Sequence, residues 1–209
     1  MKKSDTKRPR RYLRSRITRK LILDTALNIF LTEGYKKTTI TRISSQANVG
    51  YGTVYSHFKG KDDILAKILD SLLDEFYALL KVPFKPTSYT EARDIYWEVI
   101  ETSFRLAEQH RPVMKVLREA LGQSKAISEY WETMKNCFIA STSRVINQAQ
   151  LIGLAKPDID PSKAAKANVL LIDRFLWEVV QENETDIQYL STLLTSMIFE
   201  GIFIKPASC

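Results

Sequence analysis

Cysteine is almost missing from these 209 residues: Cys137 and Cys209 are the only two. They are too few and too far apart for a disulfide framework, and no C-x-x-C pair offers half of a structural zinc site. Histidine is as rare, with His57 and His110 alone. Neither stands in a known spacing with a Ser, Cys or Asp, and H-E-x-x-H, P-loop and G-x-S-x-G patterns are absent. Adjacent carboxylates such as Asp62-Asp63 point apart on a helix. An enzyme is therefore not expected, nor a metal or cofactor. Glycine and proline number seven each, and so few breakers favour long helices over a many-turned β fold. Long apolar runs are lacking too: Val169–Ile172 is short and Glu200 interrupts Met197–Ile204, so no bilayer span is expected. The basic start lacks the apolar stretch of a signal peptide. A membrane-surface helix would back its charges with aromatic residues, and the basic start has only Tyr12. The expected setting is the reducing cytoplasm, with no membrane partner.

What is present is charge, unevenly spread. The net charge is +7, but residues 1–63 carry +10 and residues 64–209 carry −3. Such asymmetry points the first third at a polyanion. Residues 1–15 read as a flexible basic tail, and Arg8–Lys20 is either solvated or a minor-groove or phosphate-tracking arm. A helix fits Arg16–Glu33, with Ile22, Ala26, Ile29 and Phe30 on one face and Gly34 stopping it. Thr39 caps a second helix, Ile40–Ala47. Asn48-Val49-Gly50 is a turn in which Asn tolerates the left-handed conformation, and a third helix covers Tyr51–Phe58. Further helices fit Lys61–Leu80, Glu91–Gln109, Pro112–Leu121 and Ala126–Ile152. Asp160-Pro161 opens a helix to Glu182, and Thr185-x-x-Gln188 is a capping box opening the last, to Ile204. The fold class is all-α with about nine helices: a tail (1–15), a small three-helix domain (16–60) and a larger helical domain (61–209).

Two short helices separated by three residues have the spacing of a helix-turn-helix. Val49, Val54 and Phe58 help form a small core that presents Tyr51–Phe58 as a rod fitting the major groove. Its unburied positions, Tyr51, Thr53, Tyr55, Ser56 and His57, can donate to or accept from bases and phosphates. None is acidic, and Arg42, Lys59 and Lys61 frame them. Gly50-x-Gly52 is not a nucleotide loop, because no third glycine follows and no strand precedes it.

The run Thr38-Thr39-Ile40-Thr41-Arg42-Ile43-Ser44-Ser45-Gln46-Ala47-Asn48-Val49-Gly50-Tyr51-Gly52-Thr53-Val54-Tyr55-Ser56-His57-Phe58-Lys59-Gly60-Lys61 resembles the DNA-binding signature of the TetR (tetracycline-repressor-like) family. Ala26, Phe30, Gly34 and Tyr35 before it match as well. The resemblance covers Ile17–Leu65; beyond it only helix pattern and length agree. It implies that Thr39 caps and touches a phosphate and that Thr41 and Arg42 lie near the groove. Tyr51, Thr53, Tyr55 and His57 would face DNA, and Lys61 would bind phosphate; Gly52, Ser56 and Lys59, on and beside the same helix, complete the candidate DNA-binding set. Asn48 and Gly50 depart from the family's usual Gly and polar cap. Gly50 lacks a hydroxyl for phosphate.

One such module on one half-site binds weakly. The last two helices are apolar around much of their girth and so need burial on several sides. A two-fold bundle would provide it, with Leu171, Phe175, Leu190, Leu194, Met197 and Ile198 at the interface and an inverted-repeat operator as the DNA partner. The resemblance implies this homodimer, and it implies a pocket in the middle helices for a largely apolar small-molecule effector. Trp97, Phe104, Trp131, Met134 and Phe138 are the candidate lining; plain core is the alternative for each. The function expected is a ligand-responsive repressor, the alternative being a ligand-independent architectural or non-specific DNA-binding protein.

Overall fold

The computed structural model describes residues 7–81, 83–182 and 185–204. Among them lie nine helices: α1 (Lys7–Glu33), α2 (Ile40–Gln46), α3 (Tyr51–His57), α4 (Lys61–Leu79), α5 (Tyr89–Gln109), α6 (Arg111–Leu121), α7 (Lys125–Leu151), α8 (Pro161–Gln181) and α9 (Ile187–Ile202). The only extended pairing among the described residues is an isolated bridge between Ala155 and Phe203. The all-α expectation holds. Cys209 and residues 1–6 of the basic tail lie outside the described residues.

The chain divides into two compact units. The first runs to Ser71 and takes in Val116–Ser128; the second comprises Leu72–Lys115 and the stretch from Glu129 onward.

In the first unit, Ile22, Ala26, Ile29 and Phe30 of α1, Ile43 of α2 and Val54 of α3 are buried, and α2 packs on both α1 and α3. Truncating a fully buried ring such as Phe30 costs about 3–5 kcal/mol. Gly34 ends α1 at a φ of +83°, and its N–H bonds to the Phe30 carbonyl at 3.1 Å. α1 begins at Lys7, not at Arg16, so residues 7–15 are helix rather than flexible tail. Tyr12 and Leu13 are exposed there, so burial left no periodic signal. Pro9 falls in the first turn, where its missing N–H would have no acceptor anyway.

In the second unit α5 packs on α8 and α9. Phe199 anchors that core: it stacks on Phe203 with centroids 4.0 Å apart and meets Tyr89 edge-on. Asp160 caps α8 through the Ser162 and Lys163 N–H groups, with Pro161 in the first turn as expected. The cap of α9 differs from the expected Thr185 box. Asp186 caps it, its carboxylate accepting from the Tyr189 N–H at 2.9 Å, while the Thr185 hydroxyl has no partner among the described residues. A carboxylate beside free N–H groups and the positive helix end outcompetes a neutral hydroxyl. At the other end of α9, the Lys156 ammonium donates to the Gly201 carbonyl at 2.7 Å. No helix among the described residues is long and apolar enough to cross a membrane.

Candidate nucleic-acid interface and apolar cavity

The turn between α2 and α3 follows from three residues. Thr39 adopts an extended conformation, and its hydroxyl accepts from the Arg42 N–H at 3.1 Å, which starts α2. Asn48 takes the left-handed conformation, φ +50°. The chain then reverses, with the Val49 N–H bonded to the Ser44 carbonyl at 3.0 Å. Gly50 heads α3 with no side-chain cap.

Val54 and the following Phe58 are buried, and the opposite face of α3 is open. Tyr51 is 53% exposed and Tyr55 46%. Their rings lie 4.9 Å apart, and the Tyr51 hydroxyl donates to that of Tyr55 at 3.3 Å. That contact, more than burial, raises the Tyr55 pKa; a tyrosine hydroxyl is neutral at physiological pH in either case. Gly52 and Ser56 are exposed, and Thr53 and His57 are half-buried. The Ser56 hydroxyl is turned to the Thr53 carbonyl at 2.7 Å. Thr39, Thr41 and Lys59 are exposed beside this face. Arg19 of α1 lies over the Phe58 ring at 4.9 Å.

Two of the cations expected at the DNA-facing surface are engaged within the protein. Arg42 is paired with Glu33, Nη2 to Oε1 at 2.7 Å, although half of its side chain stays open. Lys61 points inward: Nζ donates to the Tyr35 carbonyl at 2.9 Å and the Thr38 carbonyl at 3.3 Å, and sits 4.2 Å above the Tyr35 ring. Its partners are the free carbonyls that follow Gly34.

The sequence reading missed what braces this turn. Glu119, from α6, accepts the Tyr35 N–H at 2.8 Å and the Lys36 N–H at 3.0 Å. Asp62 accepts from the Tyr35 hydroxyl and from Ser124 at 2.6 Å. Burial first, and then the Asp62 carboxylate, push the Tyr35 pKa well up, so that this hydroxyl stays a donor. Contacts spanning 84 residues leave no local sequence signal.

The second unit encloses a cavity of about 210 Å³, lined by Phe76, Tyr96, Trp131, Met134, Phe138 and Leu176 among others. Of the five residues expected there, Trp131, Met134 and Phe138 line it. Phe104 is fully buried core, and Trp97 sends its indole N–H to Thr192 at 3.1 Å. Both are large aromatics at helical spacing, and spacing alone does not say which face meets the void. The wall also holds polar groups that the sequence reading passed over. The Tyr96 hydroxyl donates to Asn168 at 2.6 Å, and burial pushes its pKa far up. The Trp131 N–H donates to Asp173 at 3.1 Å.

The apolar faces of α8 and α9 separate into two sets. Leu190 and Leu194 are buried within the protomer and cannot form an outer face. Leu171, Phe175 and Ile198 are half-buried, whereas Met197 is 53% exposed. The open stripe is Tyr189, Leu193 and Met197 on α9, with Leu170 on α8. Because α9 is apolar nearly all round, its pattern did not separate inner from outer residues.

Residues 22–68 match the family described as bacterial regulatory proteins, tetR family. Residues 96–202, about half of the chain, match the C-terminal domain of the transcriptional regulator EthR. The HTH-type transcriptional regulator YhgD of Bacillus subtilis is 28% identical over 191 residues, 88% of this chain and 96% of the relative. The solved SmeT–triclosan complex shares the fold at a TM-score of 0.72 and 23% identity, over 92% of this chain and 96% of that one. NalD, the secondary repressor of the MexAB-OprM multidrug efflux pump in Pseudomonas aeruginosa, superposes at 0.71 with 20% identity, over 92% and 98%.

Proposed function

The chain belongs to the TetR family of transcriptional regulators, and from that premise we propose that it is a repressor which binds an inverted-repeat operator as a homodimer and is released by a small-molecule effector. Its relatives are DNA-binding regulators and not enzymes. The observation that carries the reading is the open, acid-free face of α3, on which Tyr51 and Tyr55 stand exposed beside Gly52 and Ser56. Hydroxyls on a groove-sized helix can meet base edges and phosphates without like-charge repulsion. Thr39, Thr41 and Lys59 would add backbone contacts, and the basic start of α1 would track phosphates. Arg42 and Lys61 act first as braces for the turn, and only the open half of Arg42 is left for DNA. Two copies would meet through Leu170, Tyr189, Leu193 and Met197, placing two α3 helices on neighbouring half-sites. The cavity of the second unit is the effector site, and occupancy favours a dimer whose α3 helices no longer fit adjacent grooves. A dimer seated on an operator inside a promoter represses by occlusion, because polymerase cannot share the same grooves. That SmeT was solved with triclosan and that NalD represses a drug-efflux pump supports an apolar effector.

The test is selection of bound duplexes from a random pool by the purified protein at two salt concentrations. An enriched inverted repeat, lost with Tyr55→Ala, is the expected result. Binding without enrichment that fades with salt would mean a non-specific phosphate binder instead.

A further inference from the structure

Only two of the cavity's lining residues carry charge, Lys135 and Asp173; the rest of its wall is apolar or neutral. The Lys135 side chain is 11% exposed, and its ammonium is already claimed. Nζ lies 2.6 Å from Glu132 and 3.8 Å from Asp173, beyond hydrogen-bond range of the latter. Lys135 is thus held by Glu132, which lies outside the lining and is 60% exposed, and its ammonium makes no hydrogen bond to the Asp173 carboxylate in the wall. The other groups at Asp173 are indoles. Trp131 donates to Oδ1 at 3.1 Å, and its ring lies 5.2 Å from that of Trp177. Indole N–H groups offer dipoles but no charge.

We propose that the cavity takes a cationic amphiphile: an apolar tail along Phe76, Met134, Phe138 and Leu176, and a protonated amine against Asp173. The proposal rests on the cavity being the effector site. Burial, the largest influence on Asp173, raises its pKa although Lys135 and both indoles oppose it. The carboxylate is therefore under-compensated by its own protein, and a ligand cation supplies the missing charge. The indole of Trp131, in the wall beside Asp173, can offer the same head group an electron-rich ring. A carboxylate head would meet Asp173 of its own sign, and Lys135, the one ammonium among the lining residues, is held by Glu132.

The experiment titrates the full-length protein at pH 7 with octylamine, octanol and octanoate, reading heat of binding and indole fluorescence. These probes share one tail and differ in head charge. Octylamine is expected to bind at least about tenfold more tightly than octanol, with octanoate weakest. Asp173→Asn keeps the shape and removes the charge; it is expected to bring octylamine to the level of octanol while octanol binding stays put. Octanoate binding as tightly as octylamine would overturn the proposal and leave the cavity as an effector site, as would an amine preference that survives Asp173→Asn. Failure of all three to bind saturably would overturn both. The wild-type series decides the question even if the variant folds poorly.

Discussion

Gly34 and Glu119 are expected to depend on each other. Glu119→Ala removes two charge-assisted bonds, to the N–H groups of Tyr35 and Lys36 at 2.8 and 3.0 Å. Such bonds contribute about 1.5–3 kcal/mol when buried. Lys36 is exposed and water can replace its partner, so the loss should be about 2 kcal/mol in all. Gly34→Ala puts a Cβ on a backbone with φ of +83°, 2.9 Å from a Glu119 carboxylate oxygen. The left-handed conformation costs about 1–2 kcal/mol. The carboxylate must also swing aside and lose the same two bonds, for a total of about 3 kcal/mol. In a Glu119→Ala background nothing remains to be displaced, so adding Gly34→Ala costs only the backbone strain. The double variant should therefore lose about 3 kcal/mol where additivity gives about 5. Urea midpoints of the four proteins, followed by far-UV circular dichroism at constant m, measure the cycle. Agreement with additivity within about 0.5 kcal/mol would refute the account.

Lys61→Met should cost about 1–2 kcal/mol of stability and leave the salt dependence of operator binding unchanged; a slope lower by about 0.9 would instead make Lys61 a phosphate ligand. Met197→Glu or Leu193→Glu should yield monomers in sedimentation, whereas Leu190→Ala should lower the melting temperature without changing the mass; the reverse pattern would put the interface elsewhere. Removing residues 1–15 should reduce the salt slope by about 0.9 for each phosphate that the segment neutralises, and an unchanged slope would leave the start of α1 a bystander. Burial raises the Asp173 pKa above its unfolded value, so between the two the native state holds more proton. Stability then declines as pH rises from the ordinary Asp value of about 3.9 through the raised folded pKa. Asp173→Asn should flatten that decline in urea midpoints, and an identical decline in the variant would count against it.

Local chemistry was readable wherever neighbouring residues decide the outcome. The left-handed Asn48, the Thr39 and Asp160 caps and the Gly34 stop each depend on a few adjacent positions. The same logic failed where two local answers compete, as at Thr185 and Asp186. It failed again where no burial marks a helix, as over residues 7–15. On α8 and α9 inner and outer residues were not separated, because apolar residues occupy both faces. Leu190 and Leu194 share a spacing with Leu193 and Met197, and only packing distinguishes them. Trp97 and Phe104 were displaced from the cavity for the same reason. The roles of Glu119, Ser124 and Asp173 depend on approaches across the fold, for which a sequence keeps no spacing rule.

The first unit's use of Val116–Ser128 bears on how the protein is born. Chains emerge N-terminus first, and domains usually fold as they are completed. Here α1, α2 and α3 leave the ribosome long before their braces exist. The N–H of Tyr35 waits for Glu119, and Asp62 waits for Ser124. Until α6 and the start of α7 have been synthesised, the nascent head has a reading helix without its full support. Its rigidity is a late event in translation, finished only after the second unit's first stretch, Leu72–Lys115, has already been made.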